Sequence, residues 1–354
     1  PYLWRMIEQW QQLQWKIELL CRRKGINRAP LKALILRFLD TFPRFLVAGS
    51  LTGEALVISL RPGRGLLRGR RYLLQPPGPA IHSVGVVKVG KSPQRSIVTG
   101  SSDGVVRIFS EDGEVLRSFQ AYEQGPVLSV QLGASGGQTY LATATGGAVA
   151  REEGELLDTA HLWELADSSQ LRRCAFPHGL GVNGIAMCAE RCLVATASDD
   201  RSAGVFDFNG AQLAVCRGHL SFVWEVALSS DGDLVATACE DRQIRLFNLS
   251  GHLLRVFGCE DSCVEVALDV DRQVLVATAG AKLHVWSLED GASVEAMHDS
   301  AVHCAAEVLR FGRVVCGTDK GELVEWQHGG ADAALAEVGR LVAFSSAVVT
   351  VAMD

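Results

Sequence analysis

The sequence has no continuous run of about 20 apolar residues, the length that an α-helix needs to cross a bilayer. We therefore predict no transmembrane helix. An apolar N-terminal stretch of the secretory type is also missing, and the chain begins at Pro1 instead of methionine. We expect the sequence to be a piece of a longer polypeptide, with any targeting signal lying outside it.

Short catalytic motifs are missing too: there is no Gly-rich phosphate loop, no His-Glu-x-x-His and no Gly-x-Ser-x-Gly nucleophile turn. The ten cysteines are scattered and do not form two Cys-x-x-Cys pairs at zinc-binding spacing. We expect them to be buried, reduced thiols, which favours an intracellular location in the cytoplasm or nucleus. The prediction is therefore a protein that is not an enzyme and holds no metal or cofactor.

Glycine, by contrast, is plentiful at 36 residues, while aromatic residues make up only 7%. Seven segments repeat one pattern: an apolar strand, a turn of small residues with Asp or Gly, and a second strand. Six of the second strands end in an aromatic residue, and these residues are spaced 54, 43, 41, 39 and 40 apart: Phe109, Trp163, Phe206, Phe247, Trp286 and Trp326. A period near 40 residues with short strands is typical of β-propeller blades.

The clearest copy of the repeat, residues 218–249, resembles the WD-repeat family. It contains the Gly218-His219 pair, an apolar strand over Val223–Leu228, a turn with Asp231 and Gly232, and Asp241. The resemblance covers about residues 44–354 and implies an all-β, seven-bladed propeller. Asp207 alone matches the Asp of the name-giving Trp-Asp pair, and Phe replaces Trp in three of the six aromatic-ended copies.

Family members have a buried hydrogen-bonded network of a His, a Ser or Thr, an Asp and the Trp. The resemblance assigns His219, Thr237 and Asp241 to such a network. Phe247 stands at the Trp position and has no N–H to donate. We therefore expect a partial network, because unpaired buried polar groups cost about 1–3 kcal/mol each.

Ring closure can be predicted from a missing strand. Each blade needs four strands, named a to d from the axis outward. Apolar runs before the repeated motif predict strands a at 81–89, 127–132, 182–188, 223–228, 263–269 and 302–308. The first repeat (46–59) instead has Thr41, Phe42 and Pro43 where strand a should be. Residues 347–354 form a single strand-like segment after the last repeat. We predict that it pairs beside Phe45–Gly49 and closes a propeller of residues 43–354, removing exposed sheet edges. The alternative is an eighth blade after Asp354.

Residues 1–42 predict a basic helical segment, with a first helix over 2–24. Apolar residues recur there at steps of three and four, as on a heptad seam: Leu3, Met6, Trp10, Leu13, Ile17 and Leu20. Residues 1–75 hold 14 Lys and Arg against 4 Asp and Glu, and the remainder holds 20 against 36. The helix would bind a partner or a second copy. Alternatively, it packs on the propeller or ends a preceding domain.

A run of arginines forms a second basic feature and comprises Arg61, Arg64, Arg68, Arg70 and Arg71. Together with the N-terminal segment it could give weak contact with nucleic-acid phosphates or acidic lipids. A solvated loop is the alternative reading, and the acidic remainder of the chain opposes non-specific binding of nucleic acid.

In the family, the d–a and b–c loops share a face that commonly binds peptides or domains. The resemblance maps partner-binding positions onto Phe222, Trp224, Glu240, His82, Asn183, His303 and Asp199. An acidic insertion with Glu152, Glu153 and Glu155 would project over the same face, so we expect a basic or amphipathic partner. Trp224 could instead fill the blade core.

These observations favour a non-catalytic scaffold or adaptor for protein partners. Two alternatives stay open: a regulatory domain of a larger enzyme or signalling protein, and a binder of RNA or acidic membranes through the basic segment. Fold alone does not decide among them.

Overall fold

The computed structural model describes residues 45–59, 70–88, 95–146, 159–166, 169–270, 273–304, 308–309, 313–327 and 335–353. All regular elements within these ranges are β-strands. The predicted helical segment 1–42 and Arg61, Arg64 and Arg68 lie outside the described residues. Within the described part, no helix is long and apolar enough to cross a bilayer.

The strands form seven antiparallel sheets, which are the blades of a propeller. Blade I contains β1 (Phe45–Ser50), β2 (Ala55–Ser59) and β3 (Arg70–Gln75), and blade II contains β4 (Ile81–Lys88), β5 (Arg95–Ser101), β6 (Val105–Ser110) and β7 (Val115–Gln120). Blade III contains β8 (Ser129–Ser135), β9 (Gln138–Ala144), β10 (Ala160–Ala166) and β11 (Ser169–Ala175). Blade IV contains β12 (Val182–Cys188), β13 (Leu193–Ser198), β14 (Ala203–Asp207) and β15 (Gln212–Cys216).

The remaining blades follow the same plan. Blade V contains β16 (Val223–Leu228), β17 (Leu234–Cys239), β18 (Gln243–Asn248) and β19 (Leu253–Gly258), and blade VI contains β20 (Cys263–Asp269), β21 (Val274–Ala279), β22 (Lys282–Ser287) and β23 (Ser293–Met297). Blade VII contains β24 (Val302–Cys304), β25 (Val308–Leu309), β26 (Arg313–Thr318), β27 (Glu322–Gln327) and β28 (Ala336–Val342). The final strand, β29, spans Val348–Met353.

Strand β29 closes the ring, as predicted. It runs antiparallel to β1, with Val47 opposite Ala352 and Ala48 opposite Val351, and it completes blade I as strand a. Strands a of successive blades then contact one another around the axis, with β29 beside β4 and β24. The seven-bladed prediction is therefore confirmed.

Because strands alternate in direction, the loops fall on two faces. We call the face with the d–a and b–c loops the upper face, and the face with the a–b and c–d loops the lower face. The hydrophobic core lies between neighbouring blades: Phe247 of blade V, for example, packs with Val205 and Cys216 of blade IV, all nearly inaccessible to solvent. Such interior packing holds each flat blade against the next.

Candidate interaction surfaces

An exposed aromatic pair stands at the upper end of blade V. Phe222 comes directly before β16 and is 42% exposed, and Leu220 in the same loop is 76% exposed. Trp224, the second residue of β16, is partly buried, and its ring meets that of Phe222 edge-on with centroids 6.4 Å apart. Trp224 is thus neither a free surface residue nor a fully buried core residue.

Polar groups surround this pair. The Glu240 backbone N–H donates to the Phe222 carbonyl at 3.0 Å, and the Ser221 hydroxyl donates to the Glu240 carboxylate at 2.6 Å. These two bonds hold the exposed Glu240 beside Phe222, so that a negative charge adjoins the apolar rings.

Blade IV contributes to the same surface. Asn183 Nδ2 donates to Asp199 Oδ1 at 2.6 Å and to the Val223 carbonyl at 3.2 Å, which links the loops of blades IV and V. We define the aromatic patch as the set of residues that these contacts bring together: Leu220, Phe222, Trp224, Glu240, Asn183 and Asp199.

Other predicted binding residues lie away from the aromatic patch or outside the described part of the chain. His82 occupies the Trp224 position on blade II, where burial lowers its pKa and favours the neutral imidazole. His303 lies in β24, but its side chain is outside the described residues, as are Glu152, Glu153 and Glu155. The insertion that holds these glutamates connects β9 to β10, so its ends lie on the upper face.

The upper face of the described residues is acidic. Its loops contribute Glu54, Asp103, Glu123, Asp199, Asp200, Glu240, Asp241, Glu260, Asp261, Asp299 and Asp319 against Arg201, Arg217, Arg242 and Lys320. Some of the acids are neutralised locally, as in the ion pair of Asp103 with Arg107 at 2.8 Å. The excess of carboxylates would attract a cationic partner.

The segment that holds the arginine run begins and ends on the other side of the molecule. The loop with Arg61, Arg64 and Arg68 leaves β2 at Ser59 and returns at Arg70, and both points are at the lower face. Arg71 in β3 is exposed, while the side chain of Arg70 is outside the described residues. The two ends of this segment and the aromatic patch therefore belong to opposite faces.

In blade V, His219 and Thr237 form the predicted buried contact, but Asp241 has a different partner from the one expected. His219 Nε2 lies 2.9 Å from Thr237 Oγ1, and its ring packs against Phe247. Asp241 instead pairs with Arg245, with Arg245 Nη2 2.8 Å from Asp241 Oδ2, and accepts the Leu220 N–H at 2.9 Å. Arg245 on strand c binds the Asp241 carboxylate in place of His219, because hydrogen bonds to a full positive charge are stronger.

Blade IV holds a network that sequence reasoning missed. His178 Nδ1 lies 2.9 Å from Asp200 Oδ2, and His178 Nε2 lies 2.6 Å from Thr196 Oγ1. The Asp200 carboxylate also accepts N–H bonds from Gly179 and Ser202. A signal was present, because His178 and Thr196 are 18 residues apart, as are His219 and Thr237.

Three side-chain to backbone hydrogen bonds tie together the strands a of blades I to IV. In each case a hydroxyl near the start of one strand a accepts a backbone N–H of the next blade: Val84 to Thr350 at 3.1 Å, Val130 to Ser83 at 3.0 Å, and Ile185 to Ser129 at 3.1 Å. These bonds satisfy buried N–H groups and fix each blade against its neighbour.

The series stops at blade IV, where Gly184 stands at the position of the hydroxyl. The Glu225 carboxylate occupies that space: its Oε1 accepts the Val226 N–H at 3.0 Å and lies 2.6 Å from where a Cβ on Gly184 would stand. Burial among strands a raises the pKa of Glu225 to about 8. Burial, with the charge of Glu225, raises the pKa of Glu265 in blade VI well above its usual range.

The described residues include no group of three or more His, Cys, Asp or Glu side chains arranged to hold a metal ion. Cysteines 174, 188, 192, 216, 239, 259, 263 and 316 are free thiols. Burial raises the pKa of Cys216 to about 12, which keeps this thiol protonated and unreactive.

Seven radially arranged sheets around an axial channel define the molecule as a seven-bladed β-propeller. Residues 210–248 match the family model of the WD domain, G-beta repeat. The chain is therefore a seven-bladed β-propeller in which residues 210–248 are similar to a WD repeat, and propeller domains with such repeats generally act as non-catalytic scaffolds for protein interactions.

Solved structures share the fold. A chain from the crystal structure of a mitotic checkpoint complex is similar, with a TM-score of 0.64 and 16% sequence identity, covering 88% of this chain and 85% of that chain. At this identity the likeness concerns the fold alone. No curated protein sequence matches the chain.

Proposed function

We propose that the chain is a scaffold or adaptor that binds a basic or amphipathic segment of a partner protein on the aromatic patch. The observation that carries the proposal is the edge-on Phe222–Trp224 pair, with Phe222 exposed and Glu240 fixed beside it. Residues that dominate binding energy at protein interfaces are enriched in Trp, Tyr and Arg, and aromatic residues are enriched in interface cores.

The partner's charge follows from the surroundings of the patch. Glu240 and Asp199 lie at its edge, and the loops around it carry more carboxylates than basic groups. A partner with an apolar anchor flanked by Lys or Arg would therefore bury the two rings and pair with the acids. Complementary charges of this kind raise the association rate as well as the specificity.

The test is binding of the full chain to an array of basic amphipathic peptides, with acidic peptides of the same composition pattern as a reference set. We expect Phe222→Ala combined with Trp224→Ala to lower affinity at least ten-fold, as for hot-spot residues. Glu240→Lys, which removes no ring, should weaken binding by slowing association.

Leu116 and Leu254 provide a matched control, since both are exposed aliphatic residues on outer strands, at 54% and 53%. Replacing both by Ala should leave binding unchanged. Unchanged binding of the Phe222 and Trp224 variants, with normal circular dichroism, would show that the partner binds elsewhere.

A further inference from the structure

The axial channel holds a cavity of about 460 Å³ that shares no residue with the aromatic patch. The strands a of blades I to VI form its wall. Side chains that end in oxygen line one level of this wall, and these are Thr350, Ser83, Ser129, Glu225 and Glu265. No Lys, Arg or His side chain belongs to the described residues that line the cavity. The wall at this level therefore accepts hydrogen bonds and carries no positive charge.

The two glutamates supply the charge at this level. Glu225 and Glu265 are the third residues of neighbouring strands a, β16 and β20, and burial and the charge of Glu225 both raise the pKa of Glu265. The three hydroxyls already accept backbone N–H groups, and each oxygen keeps a second lone pair. A cation beside two such carboxylates favours their charged forms. An alkylammonium group, which has one positive charge and three N–H donors, has the matching chemistry.

Toward the lower face the wall becomes apolar and then acidic again. Met187, Leu228 and Leu268, all partly buried, line the cavity further along their strands. Asp269 also lines it and ends β20, about 13 Å beyond Glu265 along an extended strand. A ligand that fits both acidic levels therefore has cationic ends that are joined by a flexible apolar chain.

We infer that the axial channel binds a linear polyamine. One ammonium group lies between the Glu225 and Glu265 carboxylates, the methylene chain runs along the apolar wall, and a second ammonium group pairs with Asp269. This ligand is a small molecule at the centre of the propeller, so the inference does not rest on the partner site proposed for the aromatic patch. Failure of either proposal leaves the other standing.

Isothermal titration calorimetry of the full chain with linear diamines of increasing length, from diaminopropane to diaminododecane, tests this inference. Affinity should rise with length and be highest where the two nitrogens stand roughly 13 Å apart, the separation of the two acidic levels. Decylamine, a chain of similar length with one ammonium group, is the control ligand. It should bind at least roughly ten-fold more weakly, because it lacks one charged hydrogen-bonding end.

Binding should also release protons. Glu225, Glu265 and Asp269 are the titratable side chains among the described residues of the lining. Burial raises the pKa of Glu225 to about 8 and that of Glu265 well above its usual range, whereas a primary amine stays charged up to about pH 10. Because an ammonium group stabilises the ionised carboxylates, affinity should increase as the pH rises from about 6 to about 8. Titrations in two buffers of different ionisation enthalpy measure the protons released.

Glu225→Gln combined with Glu265→Gln removes both charges with little change of volume and should lower the affinity for the best diamine at least roughly ten-fold, without proton release. Each single variant should show part of this loss, which keeps the test decisive if the double variant does not fold. Asp269→Asn should reduce the affinity for the best diamine to that for decylamine. Glu114→Gln, in an exposed turn of blade II, is the control and should change nothing. Absence of binding by any amine, an affinity independent of chain length, equal affinity for potassium or calcium ions, or unchanged binding to the glutamine variants would each overturn the inference.

Discussion

A buried threonine recurs at one position of strand b in five blades: Thr99, Thr143, Thr196, Thr237 and Thr278. Their hydroxyls have different partners. Thr196 and Thr237 bond to His178 and His219, whereas the Thr278 hydroxyl oxygen has no partner. One substitution should therefore have opposite effects in different blades.

Replacing Thr196 by Val leaves His178 Nε2 buried without its partner and should lower the free energy of unfolding by about 1–3 kcal/mol. Replacing Thr278 by Val removes a buried hydroxyl that makes no bond, so stability should be unchanged or higher. Urea unfolding of the two variants measures both. Equal losses would mean that the hydroxyl bonds contribute nothing and only volume matters.

Glu225 gives a prediction about pH. Its pKa is raised to about 8 in the folded chain, against about 4.3 in an unfolded one. The folded state therefore binds the proton more tightly. The contribution of Glu225 to the free energy of unfolding is fully present below about pH 4.3. It is lost as pH rises through 8, because the carboxylate must then ionise in a poorly solvated place.

Gln at position 225 keeps an oxygen for the Val226 N–H but cannot ionise. Glu225→Gln should thus stabilise the protein at pH 8.5 and have little effect near pH 4.5, as measured by urea unfolding at both values. Glu114→Gln, in an exposed turn, is the control and should be nearly neutral at both. A gain that does not grow with pH would contradict the account of Glu225.

At the scale of elements, the approach of β12 to β16 depends on a glycine. A Cβ on Gly184 would stand 2.8 Å from the Cα of Glu225, closer than real contacts allow. Backbone cannot give way as a flexible side chain can. Gly184→Ala should therefore separate the two strands and lower the thermal midpoint by several degrees.

Gly258 provides the comparison for that variant, because a Cβ there would meet no atom within 4 Å. Calorimetry of Gly258→Ala should show a midpoint close to that of the unchanged chain. If both alanine variants have the same midpoint, the close contact at Gly184 is not what limits the packing of blades IV and V.

Comparing predicted with observed strand boundaries shows how well the sequence predicts the individual elements. The predicted strands a at 182–188, 223–228 and 263–269 coincide with β12, β16 and β20, since apolar alternation is strong there. The strand predicted over 127–132 instead begins at Ser129, and the one over 302–308 is interrupted after Cys304. In both places the pattern carries no marker of where ladder hydrogen bonds begin or end.

The interaction surface was only partly predictable for a related reason. Equivalent strand positions placed Phe222, Trp224 and Asn183 on one face, but the bonds that join Asn183 to Asp199 and Glu240 to Ser221 depend on loop conformation. The substitution of Glu225 for the hydroxyl missing at Gly184 involves two blades 41 residues apart, and no local pattern reports it.

For the whole molecule, a missing strand a before β1 and an extra strand at the end together predicted closure of the ring. That prediction was possible because a propeller with an open edge would expose unpaired backbone groups. The helical segment 1–42 and its boundary with the propeller stay predictions. The segment with the basic run begins and ends at the lower face, while the aromatic patch lies on the upper face.

The central claim is that the upper face at blades IV and V binds a basic partner segment. Hydrogen–deuterium exchange of the full chain, with and without the tightest basic peptide from the array, measures this most directly. The account predicts slower exchange in residues 218–226 and 240–242, with the turns at 111–114 and 229–233 unaffected. Protection confined to the lower face or the outer strands, with none at 218–226, would contradict it.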